Sequence, residues 1–377
     1  MKNFKKVLSS VLAALMILGT LPAGLITISA DDPSGTSGGE TVLIAGSDFN
    51  QKKSGLIDLG IHADEDSKVM KPLLQSIAAA HPAADGLLFC GDYDLGALTA
   101  GVQVLKNTVK SVFSGMNENK MFLIKGELNP DKGGQTASGS HDTDAYGLYV
   151  LGSDAYPAGG GSRTAVQTAA AALDTYLTDK ADALYDKPVF IASYMPLHYS
   201  SLTVSDGDAK YASCLFDVIN KAGERGLTII FLYGHNHDAG ADDYLGGSAV
   251  YLPAGHDILI ADPDADGFTA ERLNFTYMNA GYTVYYEGAA GACTDITMTC
   301  FTIRAGSVTI ERYGAGGAHE LKSAGVSADA DLPAVTDVIS GPRTVSVKNW
   351  HCITEAARSL PMHDECGSGI TISSMSG

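Results

Sequence analysis

The sequence predicts an α/β protein with two packed β-sheets. Between residues 41 and 234, short apolar runs rich in β-branched and aromatic residues alternate with polar turns and amphipathic stretches. That is the rhythm of strands buried on both faces and joined by crossover helices. From about Ser248 onward, strand-like runs succeed one another through turns with hardly a helix between them, which reads as antiparallel β and a second sheet laid on the first. At 377 residues the chain is long enough to bury a substantial core.

The first thirty residues stand apart. Lys2, Lys5 and Lys6 precede the apolar stretch "VLSSVLAALMILGTLPAGLITISA", which ends in small residues before Asp31 and Asp32. This is the order of a secretory signal peptide, with cleavage expected after Ala30 and a secreted or extracellular location. An uncleaved anchor is the alternative, since the stretch is nearly long enough to span a bilayer; its internal Gly19, Pro22 and Gly24 favour cleavage. Residues 31–40, including "PSGTSGG", read as a Gly/Ser linker.

The rhythm then begins. "TVLIAG" (41–46) precedes the helix-like "DSKVMKPLLQSIAAA", and "GLLFC" (86–90) precedes "ALTAGVQVLKNTVKSVFSG". "MFLIKG" (121–126) leads into a long Gly/Ser/Asp loop, and "KPVFIASY" (187–194) precedes "AKYASCLFDVINKAGERG", which leads to "LTIIFLYG". The domain is expected to run to about residue 317, and 318–377 to be an irregular tail.

Charge narrows the partners. The formal net charge is -18, and it becomes -21 without the leader, whose thirty residues hold three lysines and no acid. A surface so acidic repels nucleic acid and anionic membrane, so neither is expected as a partner. Six cysteines, Cys90, Cys214, Cys293, Cys300, Cys352 and Cys366, are too sparse for a disulfide scaffold and lack the paired spacing of a zinc cage. Cys90 reads as core, and Cys293 with Cys300 is the favoured bridge. His62, His81 and His141 come after polar or turn sequence and are expected to be exposed.

Ligands in open α/β sheets sit at the carboxyl ends of parallel strands. The residues just past each apolar run are therefore informative: Asp48 and Asn50 in "SDFN", Asp92 in "GDYD", Glu127 in "ELNP", Tyr194 and His198 in "YMPLHYS", His235 and His237 in "HNHD". Carboxylates and imidazoles on one rim suit manganese, iron or zinc, and two such ions can clamp a phosphate ester.

In their order, "SD-x-N", "GDYD", "KGELNP", "P-x-H" and "GHNHD" resemble the motifs of the calcineurin-like metallophosphoesterase family. The resemblance implies two packed mixed β-sheets flanked by helices, an αββα sandwich, and one or two divalent metal ions. It further implies hydrolysis of a phosphate ester by a metal-bound hydroxide. By matching position, Asp48 is a ligand of the first metal, Asp92 the bridge, His237 the completion of the first site and His235 a ligand of the second. Asn50 and Glu127 stand at ligand positions that the family fills with histidine and asparagine. Leu128 stands where the family has the histidine that assists the leaving group, and Tyr194 where it has a lone histidine. His198, four residues beyond, is the remaining catalytic candidate. An alternative is a degenerate relative that keeps the fold and serves as an extracellular binding or structural protein.

Overall fold

The computed structural model describes residues 39–49, 65–94, 100–127, 133–199, 209–235, 243–244, 247–248, 251–264, 267–283, 297–304, 307–314 and 337–346. The expected leader, most of the linker, Asn50, Leu128 and His237 lie outside them. No described helix is long and apolar enough to cross a membrane.

Three strands open the chain, β1 (Thr41–Gly46), β2 (Gly86–Cys90) and β3 (Met121–Ile124), parallel neighbours joined through helices α1 (Glu65–Ala80) and α2 (Gly101–Val112). The chain then crosses to a second sheet. There β4 (Gly139–Ser140) and β5 (Gly147–Leu151) are succeeded by helix α3 (Arg163–Asp182), β6 (Val189–Ser193), helix α4 (Ala212–Glu224) and β7 (Ile229–Tyr233). Two small ribbons come next, β8 (Asp243–Tyr244) with β9 (Gly247–Ser248), and β11 (Asp257–Asp262) with β12 (Gly267–Arg272). The late strands divide between the sheets. β10 (Tyr251–Leu252) and β13 (Thr276–Asn279) extend the second, giving the order β10-β13-β7-β6-β5-β4. β14 (Thr297–Arg304), β15 (Ser307–Gly314) and β16 (Asp337–Ser346) extend the first, giving β16-β15-β14-β1-β2-β3.

Two mixed six-stranded sheets flanked by helices are the fold that the motif resemblance implies, whereas the division along the chain into a parallel first sheet and an antiparallel second one does not hold. The physical reason is that strands apolar on both faces fit either sheet, and order along the chain does not say which. Strand parity makes the layers. Leu43 and Ala45 of β1, Leu88 and Cys90 of β2, Phe190 and Ala192 of β6, and Ile230 and Leu232 of β7 point between the sheets, into one cluster with Phe301 and Met278. Their neighbours Val42, Ile44, Leu87 and Phe89 face outward under α1 and α2, beside Leu73, Ile77, Leu105 and Val109. On the far side Val189, Ile191, Ile229 and Phe231 meet α3 and α4 through Leu173, Leu177, Leu215 and Ile219. Each strand residue is buried on one side or the other, as alternation at period two requires.

Both β5 and α3 escape the sequence pattern. The inward stripe of α3 is Val166, Ala170, Leu173 and Leu177, spaced for a helix but diluted by small and polar neighbours. Ser162 caps it, its oxygen accepting from the Ala165 N–H at 3.1 Å. The expected irregular tail also contains order: β16 pairs antiparallel to β15, whose edge would otherwise expose unpaired backbone groups. The β15–β16 register shifts between Ile310 and Arg312 and again between Arg312 and Tyr313, each time with the extra residue on β16.

Asp142 ties the loop before β5 to α3. It accepts from Lys180 Nζ at 2.8 Å, from Tyr176 Oη at 2.6 Å and from the Leu148 N–H at 3.0 Å. Lys180 Nζ also lies 3.9 Å from the centre of the Tyr185 ring. Although burial works the other way, these hydrogen bonds hold the Asp142 carboxyl below its ordinary pKa. Such a depressed group stabilises the fold fully above the unfolded carboxylate value of about 3.9, and the contribution disappears as pH falls through the lower folded value. Asp142→Asn is expected to cost about 1 kcal/mol at pH 7, discounted for partial exposure. Urea unfolding checks this: the gap between wild type and variant closes in acid, and a gap independent of pH would refute the ion-pair account.

Candidate functional site

Parallel strands of both sheets end at a common rim, and the residues just beyond them meet there. Asp48 comes after β1, Asp92 after β2, Tyr194 after β6 and His235 after β7. Asp48 is fully buried and Asp92 nearly so. Backbone bonds lock the ends together: the Asp48 N–H donates to Gly91 O at 3.0 Å, and the Gly234 N–H to Tyr194 O at 3.0 Å. The His235 N–H crosses from one sheet to the other and donates to Asp48 Oδ2 at 2.9 Å.

Asp48, Asp92 and His235 have φ of 52°, 47° and 70°. Aspartate and histidine are among the few non-glycine residues enriched in this left-handed region, which swings each side chain off its strand axis into the rim. Gly234 plays a different part from the one its place after a strand suggests. It has ordinary φ, and a Cβ there would lie 2.2 Å from Cys90 O, so its role is close approach of the two sheets. Gly126 does the same beneath Asp92, where a Cβ would lie 2.2 Å from the aspartate's N and Oδ1.

Tyr194 is the centre of the arrangement. Its hydroxyl donates to Asp92 Oδ2 at 2.7 Å and lies 3.1 Å from His235 Nδ1, with the two rings edge-on at 5.3 Å. Burial first, then the charges of Asp48, Asp92 and Glu127, push its pKa well above the ordinary phenol value. The phenol therefore stays protonated and stands among three carboxylates from the ends of β1, β2 and β3. Glu127 itself is exposed.

His198 lies deeper. It is fully buried, with Nδ1 2.7 Å from Tyr277 Oη and edge-on contacts to Tyr233 and Tyr277 at 5.4 and 5.8 Å. That tyrosine oxygen also accepts the Leu197 N–H at 2.9 Å and the His198 N–H at 3.3 Å, so one phenol ties the ring and the backbone of this turn together. Burial, then the neighbouring His235, pushes the His198 pKa down to about 3. His198 is thus a neutral hydrogen-bonding group at pH 7, unsuited to supply a proton as imidazolium. The "TYMNAGY" segment packs beneath it, with Tyr277 and Asn279 fully buried. Tyr277 as its partner was invisible in sequence, because β13 joins β7 from more than forty residues away.

Whether these residues fit metal ions divides by position. Asp48 and Asp92, two buried carboxylates at adjacent strand ends, have the donor chemistry of a hard or borderline cation. Asn50 and His237, the remaining expected ligands of that first position, lie outside the described residues. The second position does not fit: Asp92 and His235 both engage Tyr194 Oη, so a phenol stands between the donors that would share a second ion. Among the described residues, Asp48, Asp92 and His235 do not form a group with all ligand atoms within 4.8 Å of one another.

No protein-family model matches the chain, and no curated protein matches it by sequence. Among solved structures it is similar to a single mutant of Vps29 from Entamoeba histolytica. The TM-score is 0.31 and the identity 9%, over 81% of this chain and 99% of that one.

Two substitutions test the part given to Tyr194. Tyr194→His replaces the phenol with a metal-ligating ring and is expected to tighten manganese binding at least about tenfold by titration calorimetry. Tyr194→Phe removes the donor to Asp92 and is expected to cost about 1 kcal/mol of stability. Unchanged manganese affinity in Tyr194→His would show that the phenol is not what closes the second position.

Proposed function

We propose that this protein is an exported, metal-dependent phosphoesterase of calcineurin-like type, with one working metal position and slow turnover. The observation that supports the reading best is the meeting of Asp48, Asp92 and His235 at one rim, joined across two sheets by the His235 N–H to Asp48 bond. The basic-then-apolar leader supports export.

Asp48 and Asp92, with His237 and Asn50, are the residues that would hold a divalent ion. When bound, that ion supplies Lewis-acid polarisation of a phosphoryl oxygen and offsets the repulsion between an acidic rim and an anionic substrate. The protein's own groups do the rest. Tyr194 fixes one oxygen of Asp92 by hydrogen bonding, and the His235 N–H fixes one oxygen of Asp48. His198, neutral and backed by Tyr277, supports the rim without moving a proton. Leu128 has no proton to give to a departing alkoxide, and the absence of such help typically costs about 10²–10⁴ in rate.

A second reading has its own support. Tyr194 fills the second metal position and Leu128 removes the acid, as in a relative that binds an extracellular ligand without turnover.

Metal analysis combined with hydrolysis of 4-nitrophenyl phosphate and bis(4-nitrophenyl) phosphate in manganese separates the two. Metal-dependent turnover abolished by Asp92→Asn is the expected result, and Leu128→His with Glu127→Asn is expected to raise it at least about tenfold. Bound metal with no turnover on either ester, before or after that repair, would establish the binding protein instead.

A further inference from the structure

A second group of metal-type donors lies on the outer face of the first sheet. His81 Nε2, Cys300 Sγ and a carboxylate oxygen of Glu311 all fall within 4.8 Å of one another. Three separate elements bring them together. His81 closes the last turn of α1, its backbone N–H donating to Ile77 O at 2.7 Å. Cys300 and Glu311 face each other directly in the antiparallel β14–β15 register. Cys300 is a free, fully buried thiol, which corrects the expected Cys293–Cys300 bridge; Cys293 itself lies outside the described residues. Nor is His81 the exposed residue its flanking sequence suggests. Its side chain is 13% exposed and that of Glu311 15%, so both are largely shut from water beside the buried sulfur.

We propose that His81, Cys300 and Glu311 form a separate site for a thiophilic divalent ion, with zinc as the best fit. One imidazole, one thiolate and one carboxylate is a donor set of zinc type, and three protein ligands leave a fourth position for water. Manganese and magnesium are poorly matched to a thiolate. On binding, the Cys300 S–H bond breaks, its proton leaves to solvent and a metal–sulfur bond forms, while His81 binds through Nε2 as the neutral ring. Thiolate and carboxylate together cancel the two charges of the ion, so the centre is neutral in a place largely shut from water.

One further feature suits this role. Tyr313 Oη donates to Glu311 Oε1 at 3.3 Å, leaving Oε2 directed at His81, 2.6 Å away. Burial, then the charges of Glu311 and Glu40, raise the Cys300 thiol pKa, so without an ion the sulfur stays protonated and His81 and Glu311 rest as a pair. The site is independent of the strand-end rim. Cys300 pairs with Ile44, four residues before Asp48, or roughly 13 Å along an extended chain.

Cobalt(II) titration of the full chain, kept reduced with a phosphine, reads the site directly. The expected result is a sulfur-to-cobalt charge-transfer band in the near ultraviolet that saturates at one equivalent, apart from any ion held at the strand-end rim, and is displaced by zinc. Cys300→Ser is expected to abolish the band, and His81→Ala to weaken zinc binding at least about tenfold. Asp92→Asn is expected to leave the band unchanged, which separates this site from the phosphoesterase reading. His81 sits at a helix end, so its variant keeps the test open should Cys300→Ser fail to fold. A folded wild type without the band overturns the proposal, as does a band undiminished in both variants, since His81 and Glu311 would then be an ion pair only.

Discussion

Burial of two apolar sheet faces against each other is the constraint on which the rest of the molecule depends. Leu43, Leu88, Phe190, Ile230 and their neighbours have no exposed alternative once the sheets meet. Because a strand presents successive residues to opposite sides, filling the gap between the sheets forces Val42, Leu87, Ile191 and Phe231 outward, where they too are apolar. Helices must then cover both flanks. The parallel strands run to a shared edge, and the residues beyond them are delivered to one place by backbone geometry before any side chain is chosen.

That edge was usable for more than one chemistry, and the side chains decide which. A phenol held between Asp92 and His235 makes a hydrogen bond to one atom of each. Its proton is retained because burial and three nearby carboxylates make the phenolate unfavourable. The arrangement links the ends of β2, β6 and β7 by hydrogen bonds through one phenol. Beside it, Asp48 and Asp92 keep two buried carboxyl groups at adjacent strand ends.

How much of this was legible in the sequence depends on range. Strands β1, β2, β3, β6 and β7 were visible because each is a short β-rich run bounded by turn residues, and the strand-end residues could be read off behind them. Sheet membership was not, since Leu43 and Ile230 look alike in composition although they belong to opposite sheets. Helix α3 was hidden by the alanines lying between and beside its buried positions, which blur the stripe. Tyr277 and His198, or Cys300 and Glu311, become partners only through strand pairing. His81 misled for a related reason: a histidine after a helix looks solvated until the sheet beneath it supplies a carboxylate.

The left-handed backbone at Asp48, Asp92 and His235 sets stability against usefulness at the same three positions. Holding a side chain in that region costs on the order of 1 kcal/mol, which glycine would largely escape. Glycine at any of the three would escape that cost but would take a carboxyl group or an imidazole out of the rim, so robustness and polar chemistry pull against each other at these positions.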